Sequence, residues 1–270
     1  MGYLSPKEFL EQYALSGAAK TRRGFGQLLC LSTLAGVLIA LGCAATNTAA
    51  HGIANVGLAR AVCGLLFPFG LCMVIVTGAE LFTGNSLLVV SLLEGKCTLS
   101  GLLRNWGIVY LGNFLGAFLT AAGCVFFGQL NYSSGGLAVY TIRLAVAKCE
   151  ISFASGFGLG IFCNLLVCMG VLMALSARDG AGRLMGAFIP VCYFVLCGFE
   201  HCVANMYYIS AGLLAVQNPE YLLLAQQAGV DLGSLTVGNF LLGNLLPVTL
   251  GNIVGGAGLG ALLWYSHLKQ

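Results

Sequence analysis

Two short stretches of this chain place a carboxylate and an amide inside apolar sequence at the same spacing. GAELFTGN ends at Asn85 and GFEHCVAN ends at Asn205, so both fit the pattern G-x-E-x4-N. A carboxylate at membrane depth is costly, and it indicates a functional or structural site. The shared spacing favours a structural role for Glu80 and Glu200, in which each caps N–H groups freed at a helix break. The asparagines would support the same two breaks. A proton relay or an ion ligand is the alternative.

His201 does not follow this symmetry, because Leu81 holds the equivalent position in the first stretch. A histidine can donate a hydrogen bond to an anion or exchange a proton near neutral pH, which favours a functional role. A buried histidine with satisfied hydrogen bonds is the alternative. Thr83 carries a hydroxyl that could face His201 from the opposite break. Lys148 precedes the fourth apolar segment and could concentrate anions at an outer vestibule, or it could be a solvated loop charge.

The sequence contains no signature of an enzyme or of a metal site. H-E-x-x-H, G-x-S-x-G, a P-loop and a dinucleotide-binding glycine motif are all missing, so neither catalysis nor a cofactor is predicted. The twelve cysteines form no C-x-x-C pair and lie mostly in apolar runs, where a free cysteine acts as a small hydrophobic residue. No basic run accompanies the net charge of +3, so a nucleic-acid partner is not expected.

The composition predicts an all-α polytopic membrane protein. Of the 270 residues, 59% are hydrophobic and 8% are charged, whereas soluble domains contain about 25% charged residues. The polar N-terminal segment lacks the apolar region of a signal peptide. Long apolar runs predict six membrane segments. They lie at about 26–47, 59–93, 104–128, 152–176, 183–214 and 236–264.

The second and fifth segments are too long to be simple membrane helices. A helix over 59–93 would measure about 52 Å, against a hydrocarbon core of about 30 Å. Each segment has a proline near its start (Pro68 and Pro190) and a glycine with a glutamate in its middle. Irregular backbone is tolerated at membrane depth where it borders protein or a cavity. We therefore expect helices 2 and 5 to be broken.

The two halves of the chain match in three places, in the same order. Besides the G-x-E-x4-N pair, GVLIAL matches GVLMAL, and the motif G-N-x-x-G occurs at Asn113 and at Asn252. Three spans per copy force the second copy into the opposite orientation, so we predict two inverted three-helix repeats over 26–128 and 150–264. They form a single domain over 1–270, which begins with a cytoplasmic segment over 1–25.

The basic residues predict the orientation of the chain. With six spans, nine of the twelve lysines and arginines fall on the side that holds both termini. The positive-inside rule places that side in the cytoplasm. The expected location is therefore the cell membrane, with several passes and with both termini inside.

The motifs TGAELFTGN and GFEHCVANM resemble those of the formate/nitrite transporter family, as do GAAK before the first span and the late G-N-x-x-G. The similarity covers essentially the whole chain. The cysteine-rich, short-tailed sequence is most similar to the hydrosulfide-channel branch. The resemblance implies an aquaporin-like six-helix protomer, without the N-P-A motifs of aquaporins, that assembles into a homopentamer with one pore in each protomer.

The resemblance also implies roles for individual residues. His201 and Thr83 would line the centre of the pore, with Lys148 and Asn164 towards its outer part and Asn252 as an additional pore residue. Two hydrophobic constrictions would close the pore on either side of His201. They would be formed by Phe67, Leu71 and Phe194 on the outside and by Leu81, Phe82 and Val167 on the inside.

The resulting hypothesis is a channel for small monovalent weak-acid anions, with hydrosulfide first and formate or nitrite as further substrates. A bare ion in an apolar slit faces a large desolvation penalty, which a weak acid avoids when it crosses in its neutral form. A proton-coupled formate or nitrite transporter is the alternative. The missing motifs disfavour an intramembrane enzyme. His201 and the absence of N-P-A disfavour a facilitator for neutral solutes.

Overall fold

The computed structural model describes residues 2–269, so the two end positions of the predicted 1–270 domain lie outside it. The described chain is helical, and its one β-bridge pairs Tyr3 with Ala177. Around that bridge, Leu4 N–H donates to Ser176 O (2.8 Å) and Arg178 N–H donates to Gly2 O (3.4 Å). The first residues of the chain are thus bonded to the loop after the fourth span.

Thirteen α-helices cover most of the described residues. They are α1 Pro6–Thr21, α2 Phe25–Ala50, α3 Val56–Leu66, α4 Pro68–Thr77, α5 Phe82–Asn85, α6 Leu88–Leu93, α7 Leu99–Phe126, α8 Gly136–Cys149, α9 Phe153–Ser176, α10 Gly180–Cys197, α11 Cys202–Ala215, α12 Pro219–Gln227 and α13 Leu246–His267. A 3-10 turn at Gln129–Asn131 precedes α8, and a π-helical segment at Asn239–Leu245 leads into α13.

Six helical stretches are long and apolar enough to cross a membrane, as the composition predicts. Each has 18 to 29 residues, and they are α2, α3 with α4, α7, α9, α10, and the π segment with α13. α3 continues into α4 because Phe67 has helical dihedral angles (φ −57°, ψ −40°). Pro68 occupies the first position of α4, where a missing N–H is tolerated. The chain is a multi-pass membrane protein.

Helical structure stops at two glycines and resumes four residues later, consistent with breaks in helices 2 and 5. Gly78 ends α4 with φ +66° and Gly198 ends α10 with φ +70°, a conformation that favours glycine. We call residues 78–81 the Glu80 break and residues 198–201 the Glu200 break. Pro190 lies within the continuous helix α10, so the glycines rather than the prolines end the helices.

The same helix pair recurs in both halves. α2 packs on α7 and α9 packs on α13, and glycines let the helix backbones touch. A Cβ atom on Gly116 would overlap Thr33 O, and a Cβ atom on Gly255 would overlap Ile161 O. These two glycines close the matching G-N-x-x-G motifs. The motif therefore marks the closest helix contact in each half.

Each half also includes a helix that the three-helix repeat did not contain. The side-chain amide of Asn105 donates to Lys20 O (3.3 Å), and that of Asn244 donates to Lys148 O (2.8 Å). α1 and α8 thus occupy equivalent places, and Lys148 lies in the last turn of a helix rather than in a loop. The sequence signal for this match is short, GAAK ending at Lys20 and AVAK ending at Lys148.

Candidate pore

The Glu80 break is held by a network that neutralises a fully buried carboxylate. Glu80 Oε2 accepts from Asn85 Nδ2 (2.6 Å), and the same Nδ2 donates to Asn105 Oδ1 (2.9 Å). Lys20 Nζ lies 3.3 Å from Glu80 Oε2 and donates to Asn85 Oδ1 (2.9 Å). Arg23 forms an ion pair with Glu80 Oε1. Two cations from the N-terminal segment therefore face one carboxylate.

The Glu200 break repeats this network with one cation fewer. Asn205 Nδ2 donates to Glu200 Oε2 (2.7 Å) and to Asn244 Oδ1 (2.8 Å). Lys148 Nζ contacts Glu200 Oε1 at 2.5 Å. Asn205 Oδ1, in contrast to Asn85 Oδ1, is buried and has no hydrogen-bond partner within residues 2–269. The second network is therefore incomplete at one acceptor.

A second pair of asparagines, Asn113 and Asn252, supports both breaks in the same way. Each Oδ1 accepts the first N–H of the resuming helix, at Phe82 (2.8 Å) and at Cys202 (2.9 Å). Each Nδ2 donates to the main-chain oxygen of the glutamate in its break and to a carbonyl of a neighbouring helix. The structure places Asn252 in this supporting role instead of the pore position that the resemblance implied. Both of its amide hydrogens are already used.

Asn164 also has its side chain engaged by protein groups. Its Nδ2 donates to Thr83 O (3.1 Å), Ser86 Oγ (3.2 Å) and Asn252 O (2.6 Å). The side chain is fully buried and ties α9 to α5 and α13, next to the Glu80 break. Asn164 therefore holds the main chain of Thr83 in place and borders neither of the two cavities described below.

His201 and Thr83 meet between the two breaks. His201 Nε2 lies 3.0 Å from Thr83 Oγ1, and both side chains are buried. His201 Nδ1 accepts the backbone N–H of Ala204 (3.1 Å), because His201 is the N-cap of α11. In the neutral imidazole the proton must then sit on Nε2, which donates to Thr83. This arrangement leaves the Thr83 hydroxyl hydrogen free for another acceptor.

One side of this pair opens into a cavity of about 310 Å³, the Lys148 cavity, bordered by Lys148, Arg60, Phe67, Phe194 and His201. Its apolar end is an aromatic pair. The rings of Phe67 and Phe194 meet edge to face with centroids 5.5 Å apart. The Phe194 ring also stacks on His201 at 5.8 Å. The two aromatic rings thus narrow this cavity where it reaches the histidine.

A second cavity of about 240 Å³, the Lys20 cavity, is bordered by Lys20, Arg183, Leu71 and Leu81 among others, and reaches Gly84, the neighbour of Thr83. The structure puts Leu71 here, although the resemblance grouped it with Phe67 at the other constriction. Leu71 lies about one helical turn after Phe67, so it sits closer to the Glu80 break and borders the opposite cavity.

Phe82 and Val167, implied at the inner constriction, line neither cavity. The Phe82 ring packs edge to face against Tyr110 (4.9 Å) and Trp106 (6.2 Å). Val167 is buried in the main apolar cluster. Of that implied constriction, Leu81 alone borders a cavity, because the packing of α7 draws the Phe82 ring aside.

The site thus consists of two cavities that contain charged residues, separated by apolar side chains and one histidine–threonine pair. In the described part of the chain, no cluster of three His, Cys, Asp or Glu residues could hold a metal ion. The arrangement is suited to hydrogen-bonding a small solute on its way between the cavities. It offers no constellation for covalent chemistry.

Comparison with known proteins agrees with this geometry. The family described as formate/nitrite transporter matches residues 7–266. Formate channel FocA of Haemophilus influenzae is 41% identical over 78% of this chain and 75% of its own length. A probable formate transporter of Methanothermobacter thermautotrophicus is 33% identical over 99% and 98%. A solved pentameric formate channel with formate bound has a TM-score of 0.79 at 32% identity, covering 91% of this chain and 98% of that one.

Proposed function

This chain belongs to the formate/nitrite transporter family, and we propose that it is a channel for small monovalent weak-acid anions, with formate foremost. It is a membrane transport protein and not an enzyme, since its relatives are channels and transporters. The observation that carries the proposal is the buried His201–Thr83 contact between the two cavities. Formate is placed first because the similar proteins described above are named as formate channels or transporters. Hydrosulfide, favoured by the sequence, and nitrite stay predictions.

The apolar stretch between the cavities sets the form in which the solute crosses. Phe67 and Phe194 close one end, and Leu71 and Leu81 border the other. On a Born estimate, an unpaired ion there would face a penalty of up to tens of kcal/mol. Formate, nitrite and hydrosulfide can each take up a proton and cross as the neutral acid. Lys148 is paired with Glu200 at the entrance of this stretch and keeps further N–H donors that can bond to the anion.

The hydrogen bonds of His201 define what it contributes. Its Nδ1 is occupied by the Ala204 N–H, so the neutral ring can donate through Nε2. It cannot give that proton away without first gaining one on Nδ1 and losing the Ala204 bond. We therefore assign His201 and Thr83 to hydrogen-bonding the solute, and we assign the proton that neutralises the anion to water in the Lys148 cavity.

Flux through purified protein in liposomes tests the function. Formate, nitrite and hydrosulfide are compared with and without a pH gradient, and we expect downhill flux of formate that saturates. Accumulation of formate against its gradient, driven by protons, would identify the alternative, a proton-coupled transporter. Absence of flux for all three anions would overturn the proposal.

His201→Phe tests the central contact, and we expect it to abolish formate flux. His51→Phe is the matched control, because His51 lies at the far end of α2 and bonds to Ser133 (2.8 Å), away from the breaks. Full flux with unaltered pH dependence in His201→Phe would remove His201 from the mechanism. Loss of flux in both variants would point to misfolding, which size-exclusion chromatography detects.

Assembly and placement complete the proposal. The solved relative is described as pentameric, so we propose a homopentamer of this chain in the lipid bilayer, with a pore in each protomer. The excess of basic residues on one side supports a cell-membrane orientation with both termini in the cytoplasm. A native mass that corresponds to another number of subunits would contradict the pentamer. Proteolysis of a terminal tag from outside intact cells would contradict the orientation.

A further inference from the structure

The Lys148 cavity contains hydrogen-bond donors that the protein itself does not use. Asn47 borders this cavity, and its side chain is 3% exposed. Its amide nitrogen is buried with no hydrogen-bond partner within residues 2–269. Arg60 borders the same cavity, is exposed, and forms none of the ion pairs found in that part of the chain. Asn47 is the buried one of the two, and buried donors without acceptors are rare in folded proteins, because each loses its hydrogen bonds to water.

Arg60 reaches from α3 to the Glu200 break. A Cβ atom built on Gly198 would lie 3.3 Å and 3.4 Å from its two terminal nitrogens. The guanidinium group therefore lies over the start of the break, at the wall that the cavity shares with Lys148. The carboxyl end of α10 is close by and favours a cation, so a purely structural role is the competing explanation.

We propose that Arg60 and Asn47 form an anion-binding subsite in the Lys148 cavity that selects anions with two terminal oxygens, formate and nitrite, over hydrosulfide. The inference rests on the proposed function and specifies its substrate class. A guanidinium group presents two parallel N–H donors that match the two oxygens of a carboxylate, and the Asn47 amide supplies a further donor. Hydrosulfide has a single sulfur, a weak acceptor that cannot engage both arms of the fork.

The same cavity also contains an unpartnered acceptor, which could bind the solute after it has been protonated. Asn205 borders the cavity, and its Oδ1 is buried without a hydrogen-bond partner. Formic acid and nitrous acid each carry one O–H, which this oxygen can accept after the anion has been protonated. The subsite thus holds the anion through Arg60 and Asn47 and the neutral acid through Asn205.

The Lys20 cavity lacks a buried unpartnered donor like the amide of Asn47 within residues 2–269. Lys20 and Arg23 are paired with Glu80, and Lys20 Nζ also donates a hydrogen bond to Asn85 Oδ1. Arg183 is exposed like Arg60 and forms no ion pair among residues 2–269, but its Nε donates to Ala177 O (3.4 Å). In that part of the chain, none of the buried unpartnered polar atoms belongs to a residue that borders this cavity. The proposed subsite is therefore on one side of the pore only.

Half-saturating concentrations for formate, nitrite and hydrosulfide test the subsite in the full-length protein in liposomes. Arg60→Gln is expected to raise the values for the two oxygen anions about tenfold and the value for hydrosulfide less than about twofold. Arg60→Lys keeps the charge but loses the fork, so about a threefold rise is expected for formate and nitrite alone. Arg143→Gln is the matched control, since Arg143 is an exposed arginine of α8 bonded to Ala228 O.

The outcomes separate the subsite from the function. Equal shifts for all three anions, in Arg60→Gln and Arg143→Gln alike, would show a general surface charge and overturn the subsite. Asn47→Asp keeps the shape of the side chain but replaces the donor with a carboxylate, so a rise of at least about tenfold is expected for formate. An unchanged value in folded Asn47→Asp would also overturn the subsite. Absence of flux through the unsubstituted protein would instead overturn the proposed function together with the subsite.

Discussion

The two breaks are built on the same frame and differ in how each glutamate is neutralised. Both use a left-handed glycine, a glutamate–asparagine pair and a second asparagine on the last helix of the repeat. Glu80 faces Lys20 and Arg23, whereas Glu200 faces Lys148 alone. The frame is shared because an interrupted helix leaves the same N–H groups unsatisfied in both halves. The differences lie in the charged groups, which border the cavities.

Substitutions of the asparagines that support both breaks are expected to have the largest effect on stability. Asn113→Leu and Asn252→Leu should each lower the free energy of unfolding by about 4 kcal/mol, because each removes three buried hydrogen bonds and leaves main-chain groups unpaired. Thermal unfolding of both variants in detergent gives the measurement. A stable Asn252→Leu protein with altered anion selectivity would instead return Asn252 to the pore.

Substitutions of the two glutamates are expected to lower the free energy of unfolding by smaller and unequal amounts. Glu80→Gln should destabilise the protein by about 3 kcal/mol, because it leaves two partly buried cations without a counter-charge. Glu200→Gln should cost less, since one cation is left. Unfolding curves of both variants, with exposed Glu220→Gln as the control, test the order. Equal losses of unfolding free energy in the two variants would show that the second cation at Glu80 does not contribute to stability.

The glycines of the two breaks predict a difference in function rather than in stability. Alanine at Gly78 or Gly198 should cost about 1 kcal/mol, because both φ angles are positive. A new Cβ atom at Gly78 meets open space, whereas one at Gly198 presses on the Arg60 guanidinium. We therefore expect Gly198→Ala, and not Gly78→Ala, to weaken formate saturation in the liposome assay. Matching values in the two variants would separate Arg60 from substrate binding.

The smallest effect concerns the helices that begin each repeat. α1 has a capping box, in which Ser5 N–H donates to Glu8 (2.7 Å), whereas the N-cap of α8 is Gly135, which provides no side-chain cap. The hydrogen bonds from Ser5 lower the pKa of Glu8 below 4.5. The cap is therefore fully present above pH 4.5 and is lost as the pH falls through this lowered pKa.

Hydrogen exchange measures this loss. The first-turn amides of α1, corrected for intrinsic exchange, should lose protection in acid. Glu8→Gln should abolish that pH dependence. Protection that does not change with pH in the unsubstituted protein would contradict the role of the cap.

The sequence predicts the six spans well, and the structure is consistent with the predicted break positions, because each follows from strong local physics. Apolar length, a left-handed glycine and a buried carboxylate leave few alternatives at Gly78 and Glu80. Side-chain direction is a different matter. Asn252 was assigned to the pore because a motif does not show which acceptors an amide will find. The Phe82 ring turns away because Tyr110 and Trp106 pack against it, a contact between distant segments that the residue pattern does not reveal.

The sequence also does not reveal that α1 and α8 are equivalent helices, for a related reason. The four-residue match of GAAK with AVAK is too short to stand out in an alanine-rich chain. The two helices are related by the asparagine bonds to Lys20 O and Lys148 O, which appear only after the last helix of each repeat has folded back. Asn47 and Arg60 lie outside the three sequence matches between the halves, so the repeat does not single them out.

The bridge between Tyr3 and Ala177 bears on the order in which the protein matures during synthesis. Residues 2–4 bond to the loop after the fourth span, so their docking must wait until about residue 178 has been made. The segment before α1 thus reaches its final place only after the fourth span has been made. The Lys20 cavity is completed only when most of the bundle already exists, while α8 can settle beside spans that are made next to it. An N-terminal fusion partner would interfere with that late docking step rather than with membrane insertion.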